Sequence, residues 1–354
     1  MQITMKAILS LTPGNPSIET VDKPSLSVDD HDTAIVRVKY VGNNPCDWIS
    51  TTIPELWHPD TIAGCDFSGI VESVGAKEQR FKPGDAVFGV VAAGAATDRS
   101  RGAFAEYVPA FVDFLYPFPK GQEEAPLASL GVGLLTVGIS IFQDLGLPWP
   151  SENGDWDCGK GQWFLVNGAS TATGLMLTQW LRLAGFRVIG TAGKHNWDVV
   201  KARGVEFVWD YRDMNDCGQQ IRSLVGDDLQ FVYNCAMDDA GAELANRVIS
   251  SRGGKYLAIA SFKMPERQDV NPTFVRGQAP CAYEYHSNLG LVKQTLKQRH
   301  LGIRTFQLAC QWLSEGKLKT SPIDLREGLE GVLQGITEMR EGRVSGKKIV
   351  SRLW

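Results

Sequence analysis

The sequence has no C-x-x-C pair, no low-complexity tract, no internal repeat and no run of concentrated basic charge. Each absence excludes something. A structural zinc lobe or a dithiol redox motif needs closely spaced cysteines, whereas the seven here, at 46, 65, 158, 217, 235, 281 and 310, are scattered and odd in number. They read as buried thiols in a reducing compartment, not as a disulfide framework. Dispersed Lys and Arg with a formal net charge of −4 leave no stripe for nucleic acid or an anionic membrane. The histidines at 31, 58, 195, 286 and 300 stand beside no nucleophile motif, which argues against a hydrolytic triad. The opening "MQITMKAILS" lacks an apolar stretch of signal-peptide length and reads as a strand, so the expected location is the cytoplasm.

Long hydrophobic runs are scarce too. Residues 125–142, "APLASLGVGLLTVGISIF", are uncharged, but Pro126, three glycines and the hydroxyl residues weaken a membrane span. A buried helix at a domain junction has the same composition and is the expected reading.

What the sequence does contain is length and order. A chain of 354 residues with 43% hydrophobic and 21% charged residues is globular and long enough for two domains with a cleft between them. Its first 120 residues alternate short β-type runs (33–42, 67–75, 85–92, 102–110) with Gly and Pro, which predicts a compact, mostly β domain. From 163 onward strands and helices alternate: 163–166 then 174–185, 187–192 then 196–203, 207–210 then 216–225, 229–236 then 240–250, and 255–261. Such units predict an α/β fold with a doubly wound parallel sheet. An irregular, proline-containing section follows, then a helical pattern over 305–318, and an amphipathic helix and last strand (348–350) expected to rejoin the first domain.

Between the first strand and helix of that sheet lies "NGASTATG", 167–174. Gly168 and Gly174 bracket a helix N-terminus, whose free N–H groups and dipole favour a phosphate. Ser170, Thr171 and Thr173 add hydroxyl donors at the place where further glycines would otherwise permit close backbone approach. A tight capped turn is the plain alternative, and the position within alternating units favours the dinucleotide loop. About 20 residues on, an NAD site would carry a carboxylate for the ribose 2′-hydroxyl. The sequence there is Gly193-Lys194-His195-Asn196, with no acid. Lys194 and His195 suit a 2′-phosphate, with Asn196 as N-cap of the next helix, and the expected cofactor is therefore NADPH.

"NNPCDW" (43–48), "AGCDFSGIVESVG" (63–75), "FKPGDAVFG" (81–89), "GAFAEYV" (102–108), "LLTVG" (134–138), the glycine loop and "GRVSGKKIV" (342–350) together resemble the medium-chain dehydrogenase/reductase superfamily. "GASTATG", "GKHNWDVVKARG" (193–204) and "DYR" (210–212) are similar to its zinc-free fungal branch of trans-acting enoyl reductases of iterative polyketide synthases, the lovastatin enoyl reductase type. The resemblance implies a GroES-like domain over 1–130 and 303–354 and a Rossmann NADPH-binding domain over 131–302. It implies a nicotinamide near Asn44, Cys46 and Thr136. Gly168 and the stretch Ser170, Thr171, Ala172, Thr173 would hold the pyrophosphate, and Lys194, His195 and Asn196 the 2′-phosphate region. Tyr211 would lie near the adenosine ribose, and Ile259, Ala260 and Ser345 at the nicotinamide end. The resemblance also places a substrate-lining segment at 262–290, where Phe274, Tyr283 and Tyr285 could line a polyketide pocket or pack on their own domain. It leaves the oligomeric state open and is compatible with a monomer.

In zinc-dependent relatives a Cys occupies the position of Asn44, and Gly-His-Glu stands where this chain has Gly64-Cys65-Asp66. Catalytic zinc needs about three good protein ligands, so no metal is expected. Conjugate reduction needs less help than carbonyl reduction: hydride adds to the β-carbon of an α,β-unsaturated thioester or ketone, charge collects on the enolate oxygen, and a few hydrogen-bond donors and a solvent proton can suffice. Thr136 is the candidate donor, with helix packing as its other role. One departure is Ile49, where the similar enzymes carry Lys. The resulting expectation is an NADPH-dependent trans-acting enoyl reductase partnering an iterative polyketide synthase. The alternatives are a quinone or enone reductase of the same fold, and a non-redox polyketide isomerase or cyclase.

Overall fold

The computed structural model describes residues 3–53, 57–93, 98–236, 238–259, 263–277, 281, 284–287 and 290–354. They form two compact units, one of 1–135, 278–344 and 348–354, the other of 136–277 and 345–347.

The first unit begins with a hairpin of β1 (Thr4–Thr12) and β2 (Asn15–Asp22), turned at Gly14 with φ +80°. Then come β3 (Thr33–Gly42), α1 (Pro45–Thr52), β4 (Asp66–Val74), β5 (Ala86–Val90), β6 (Tyr107–Phe111) and β7 (Leu115–Pro117). The uncharged run is no single helix: it holds the short α2 (Glu124–Leu127), α3 (Gly131–Gly138) and a π-turn over Ile139–Asp144. No helix among the described residues is long and apolar enough to cross a membrane.

The second unit, which starts within α3 and takes in Ile139–Asp144, goes on with β8 (Trp163–Asn167) and α4 (Ala172–Leu183), followed by β9 (Arg187–Thr191), α5 (Trp197–Lys201), β10 (Phe207–Trp209) and α6 (Met214–Val225). It continues through β11 (Phe231–Asn234), α7 (Ala240–Val248), β12 (Gly254–Ala258) and β13 (Val270–Phe274). The chain then returns to the first unit with β14 (Glu284–Ser287), β15 (Gly290–Lys293), α8 (Leu296–Ser314), β16 (Ile323–Glu327), α9 (Gly328–Arg340) and β17 (Lys348–Arg352).

The second unit's parallel sheet has the order β10-β9-β8-β11-β12-β13. The order reverses beside β8, so the loop after β8 lies at the topological switch point where such sheets bind ligands. Its strands are apolar because helices cover both faces: Leu165, Ile189, Val232 and Tyr256 are at most marginally exposed. The first unit's sheet runs β16-β17-β3-β4-β5-β7, with β6 also on β3. Along one edge of β3, residues 33–37 pair with β6 and residues 40–42 with β17. The returning C-terminal strand is thus inserted between β16 and β3, and Val36, Val38, Phe67, Phe104 and Ile336 pack in the core beneath.

Candidate functional site

Each unit carries its own group of polar residues. In the second, β8 ends at Asn167, and Gly168, with φ +75°, turns the chain toward α4. The Gly168 N–H donates to Thr191 Oγ1 at 3.0 Å, Thr191 donates to Asn167 Oδ1 at 2.6 Å, and Asn167 Nδ2 donates to Asn234 Oδ1 at 2.9 Å. This buried chain of bonds ties together the ends of β8, β9 and β11, on which the loop stands. Thr171 is the N-cap of α4, its Oγ1 accepting the Gly174 N–H at 3.0 Å. Its hydroxyl hydrogen remains to donate, and the first-turn amides of Ala172 and Thr173 are the kind a helix leaves unpaired. Ser170, Thr171, Ala172 and Thr173 are all partly exposed. Gly174 is a close-approach glycine, since a Cβ there would stand 2.4 Å from the Gly168 carbonyl oxygen.

At the end of β9 the residues Lys194–Asn196 form one 3-10 turn. The His195 ring lies 3.0 Å from Ser345 Oγ, and Asn196 Nδ2 donates to the same oxygen at 2.8 Å. Asn196 stands at the N-cap position of α5 without making a side-chain cap bond; its amide is turned to Ser345 instead. Sequence reasoning passed over Arg212. Its Nη1 lies 3.3 Å from where a Cβ on Gly193 would be, and the His195 ring 2.9 Å from the same point. Asp210 accepts from Arg212 Nη1 at 3.0 and 3.1 Å. The Arg212 backbone N–H and guanidinium, with Lys194 beside them, hold that carboxyl below its usual range. The nearby acid is therefore engaged by arginine, and Lys194, the His195 ring and Arg212 form a rim around a glycine. The only hint in the sequence was the Arg that ends "DYR". Tyr211 is 42% exposed, with the Arg212 guanidinium 5.0 Å above its ring.

Thr136 is buried in α3, and its hydroxyl packs on Gly277, where a Cβ would come within 2.1 Å of Oγ1. Ile259 follows β12 and donates its N–H to Asn234 O at 3.4 Å. Phe274 ends β13 and is 41% exposed. Ala260 and Tyr283 lie outside the described residues, and Tyr285 takes a place in β14.

In the first unit, Asn44 precedes α1, and Pro45 at its first position supplies a preset φ. Asn44 Oδ1 accepts from Lys348 Nζ at 2.5 Å; its Nδ2 donates to Asp66 Oδ2 at 2.9 Å and lies 3.4 Å from the Gly42 carbonyl. Lys348 also donates to the Asn43 carbonyl at 2.8 Å and stands 3.8 Å from Asp66 Oδ2. Asp66 Oδ1 accepts the Val132 N–H at 2.7 Å. Burial pushes the Asp66 carboxyl up while the Lys348 charge opposes it. Neither Asp66 nor Lys348 was singled out as a site residue from the sequence, because 282 positions separate them (348 − 66).

Next to this network stand Cys46, Asp47 and Cys65. Gly64 has φ +90° and no room for a Cβ against the Phe104 ring; that turn delivers Cys65 to the start of β4. Asp47 Oδ2 accepts the Asn44 N–H at 2.7 Å, and Oδ1 lies 3.8 Å from Cys46 Sγ. Burial pushes the Asp47 carboxyl up to about 7, against the pull of the Asn44 N–H. Ile49 is a half-buried residue of the same helix. Asn44, Cys46 and Ile49 thus share one helical start, Gly168 to Thr173 share one loop, and Lys194, His195, Asn196 and Ser345 share one turn. Zinc held as in zinc-dependent relatives does not fit Asn44, whose amide is committed to Lys348 and Asp66. Cys46, Asp47 and Cys65 form the one group of three metal-capable side chains among the described residues.

Comparison with known proteins agrees with this architecture. Residues 30–120 match the alcohol dehydrogenase GroES-like domain and 172–279 the zinc-binding dehydrogenase family. The trans-enoyl reductase ACTTS2 of Alternaria alternata is 33% identical over 353 residues, 99% of each chain. Among solved structures, the CurK enoyl reductase superposes with a TM-score of 0.77 at 17% identity, over 99% of each chain. A mycobacterial protein solved in complex with NADPH gives 0.75 at 20% identity, over 98% of this chain and 99% of that one.

Proposed function

The chain belongs to the medium-chain dehydrogenase/reductase superfamily and, within it, to the fungal trans-enoyl reductases, and from that premise we propose that it reduces an α,β-unsaturated, carrier-bound polyketide thioester with NADPH, acting in trans with an iterative polyketide synthase. The observation that carries the cofactor half is the rim of Lys194, His195 and Arg212 around Gly193, where an NAD site would present an unengaged carboxylate. The substrate half rests on full-length similarity to the Alternaria enzyme.

In this reading the residues divide the work. The α4 N-terminus, with the hydroxyls of Ser170, Thr171 and Thr173, meets the pyrophosphate. Lys194 and Arg212 pair with the 2′-phosphate by charge-assisted bonds, with Ser345 orienting His195 and Asn196 beside them. NADPH, once bound, would supply the hydride for the β-carbon of the enoyl group, and a solvent proton would complete the α-carbon. The chain's own task is to hold donors near the thioester oxygen, and Thr136, Asn44 and Cys46 are the residues assigned to that end of the cofactor. Asn44 serves there mainly by fixing its surroundings, because its amide is engaged within its own unit. The residues so assigned leave the reduction free of any metal requirement.

The test is NADPH oxidation with enoyl-pantetheine thioesters, beside titrations of NADPH and NADH against wild type and Lys194→Ala. The expected outcome is stoichiometric thioester reduction, and NADPH binding weakened about 10- to 100-fold by the variant while NADH binding is unchanged. Turnover of free quinones alone would give the general reductase reading. Product formation without any nicotinamide would give the isomerase reading that Ile49 motivates.

A further inference from the structure

We propose that the thiols of Cys46 and Cys65 and the carboxylate of Asp47 form a site for one thiophilic divalent cation of the zinc class. It takes Cys65, which stands where zinc-dependent relatives carry His, but neither Asn44 nor Asp66, and it shares Cys46 with the residues assigned above to the reduction.

The three ligand atoms lie within 4.8 Å of one another. A tetrahedral zinc, with sulfur at about 2.3 Å and oxygen at about 2.0–2.2 Å, draws its ligand atoms to within about 4 Å of each other. Small side-chain rotations close that gap. The group is set on rigid parts: Cys46 and Asp47 in the first turn of α1, and Cys65 immediately before β4.

The surroundings are those of an oriented ligand set. Asp47 gives Oδ2 to the Asn44 N–H and turns Oδ1 toward the Cys46 sulfur. Cys46 and Cys65 share a hydrogen bond, and the Ala93 backbone bonds to Cys65. These contacts hold the three side chains side by side. Two thiolates and one carboxylate around a dication leave a single negative charge, beside the buried pair of Lys348 and Asp66. On binding, both thiol protons pass to solvent and no electrons move. The fourth position is left to water. The cation clamps the start of α1 to the start of β4.

Reduced, metal-free full-length protein titrated with Co²⁺ tests this directly. The expected result is one equivalent bound, with a sulfur-to-cobalt charge-transfer band. The band is lost in Cys46→Ser and Cys65→Ser, and affinity falls about 10-fold or more in Asp47→Asn. Because substitutions at buried positions can unfold the chain, a second readout uses unmodified protein. Zn²⁺ at about ten times its Kd slows alkylation of Cys46, mapped by mass spectrometry, about tenfold, and leaves the half-buried Cys158 and Cys310 unchanged. Absence of the band, its persistence in either serine variant, or unprotected Cys46 overturns the proposal.

Discussion

An asparagine amide has two hydrogens, and those of Asn44 face Asp66 and the Gly42 carbonyl while its oxygen faces Lys348. A buried ammonium and a buried carboxylate are thereby linked through a neutral residue, and each depends on the other for compensation. Lys348→Met strands the Asp66 charge and is expected to cost about 3–5 kcal/mol in denaturant unfolding, with Lys348→Met/Asp66→Asn recovering part of the loss. A second titrating residue acts at the surface. Asp227 accepts from the Ser251 N–H and Oγ and from Arg222, which lowers its carboxyl to about 2. A depressed folded-state value means that the stabilisation is present above the ordinary carboxylate range and is lost as pH falls toward about 2. The melting-temperature gap between wild type and Asp227→Asn is expected to shrink over that acid window.

Among the elements, α4 shows how little tolerance the loop after β8 has. Thr171 closes the helix start through its side chain, and Gly174 lies against the Gly168 carbonyl. Thr171→Ala is expected to cost about 1 kcal/mol of stability, measured by chemical denaturation, with Thr171→Ser close to wild type. Gly174→Ala is expected to weaken NADPH in the titration more than Thr171→Ala does, because the added methyl meets backbone that cannot rotate away. Strand β13 marks the limit of pattern reading. Its sequence Val270-Asn271-Pro272-Thr273-Phe274 has no apolar alternation, and Pro272 argues against a strand. Among the described residues it is an edge strand of the parallel sheet, paired with β12 alone, where a proline is tolerated.

For the whole molecule, the path of the C-terminus is decisive. β17 lies between β16 and β3, buries Ile349 and Val350, and carries Lys348, while Ser345 just before it anchors the turn of His195 and Asn196. A chain shortened to end at Gly342 is expected to lose cooperative unfolding of the first unit and NADPH binding together. Circular dichroism melts and nucleotide titration would check both. Loss of neither would mean that β16 and β3 hold without the strand between them.

The residues by themselves determined the alternation of β8 through β12 with their helices, the glycine loop, and the lack of a carboxylate after β9, since these depend on neighbours a few positions apart: side-chain periodicity, caps and turn conformations. The group Asn44, Asp66 and Lys348, the meeting of Cys46 with Cys65, and the hold of Ser345 on His195 were decided only by tertiary structure. The contact of Lys348 with Asn44 spans 304 positions and that of His195 with Ser345 spans 150. No local pattern encodes such contacts, because they exist only once the chain has returned to complete the β3 sheet and buried charge has found its partner.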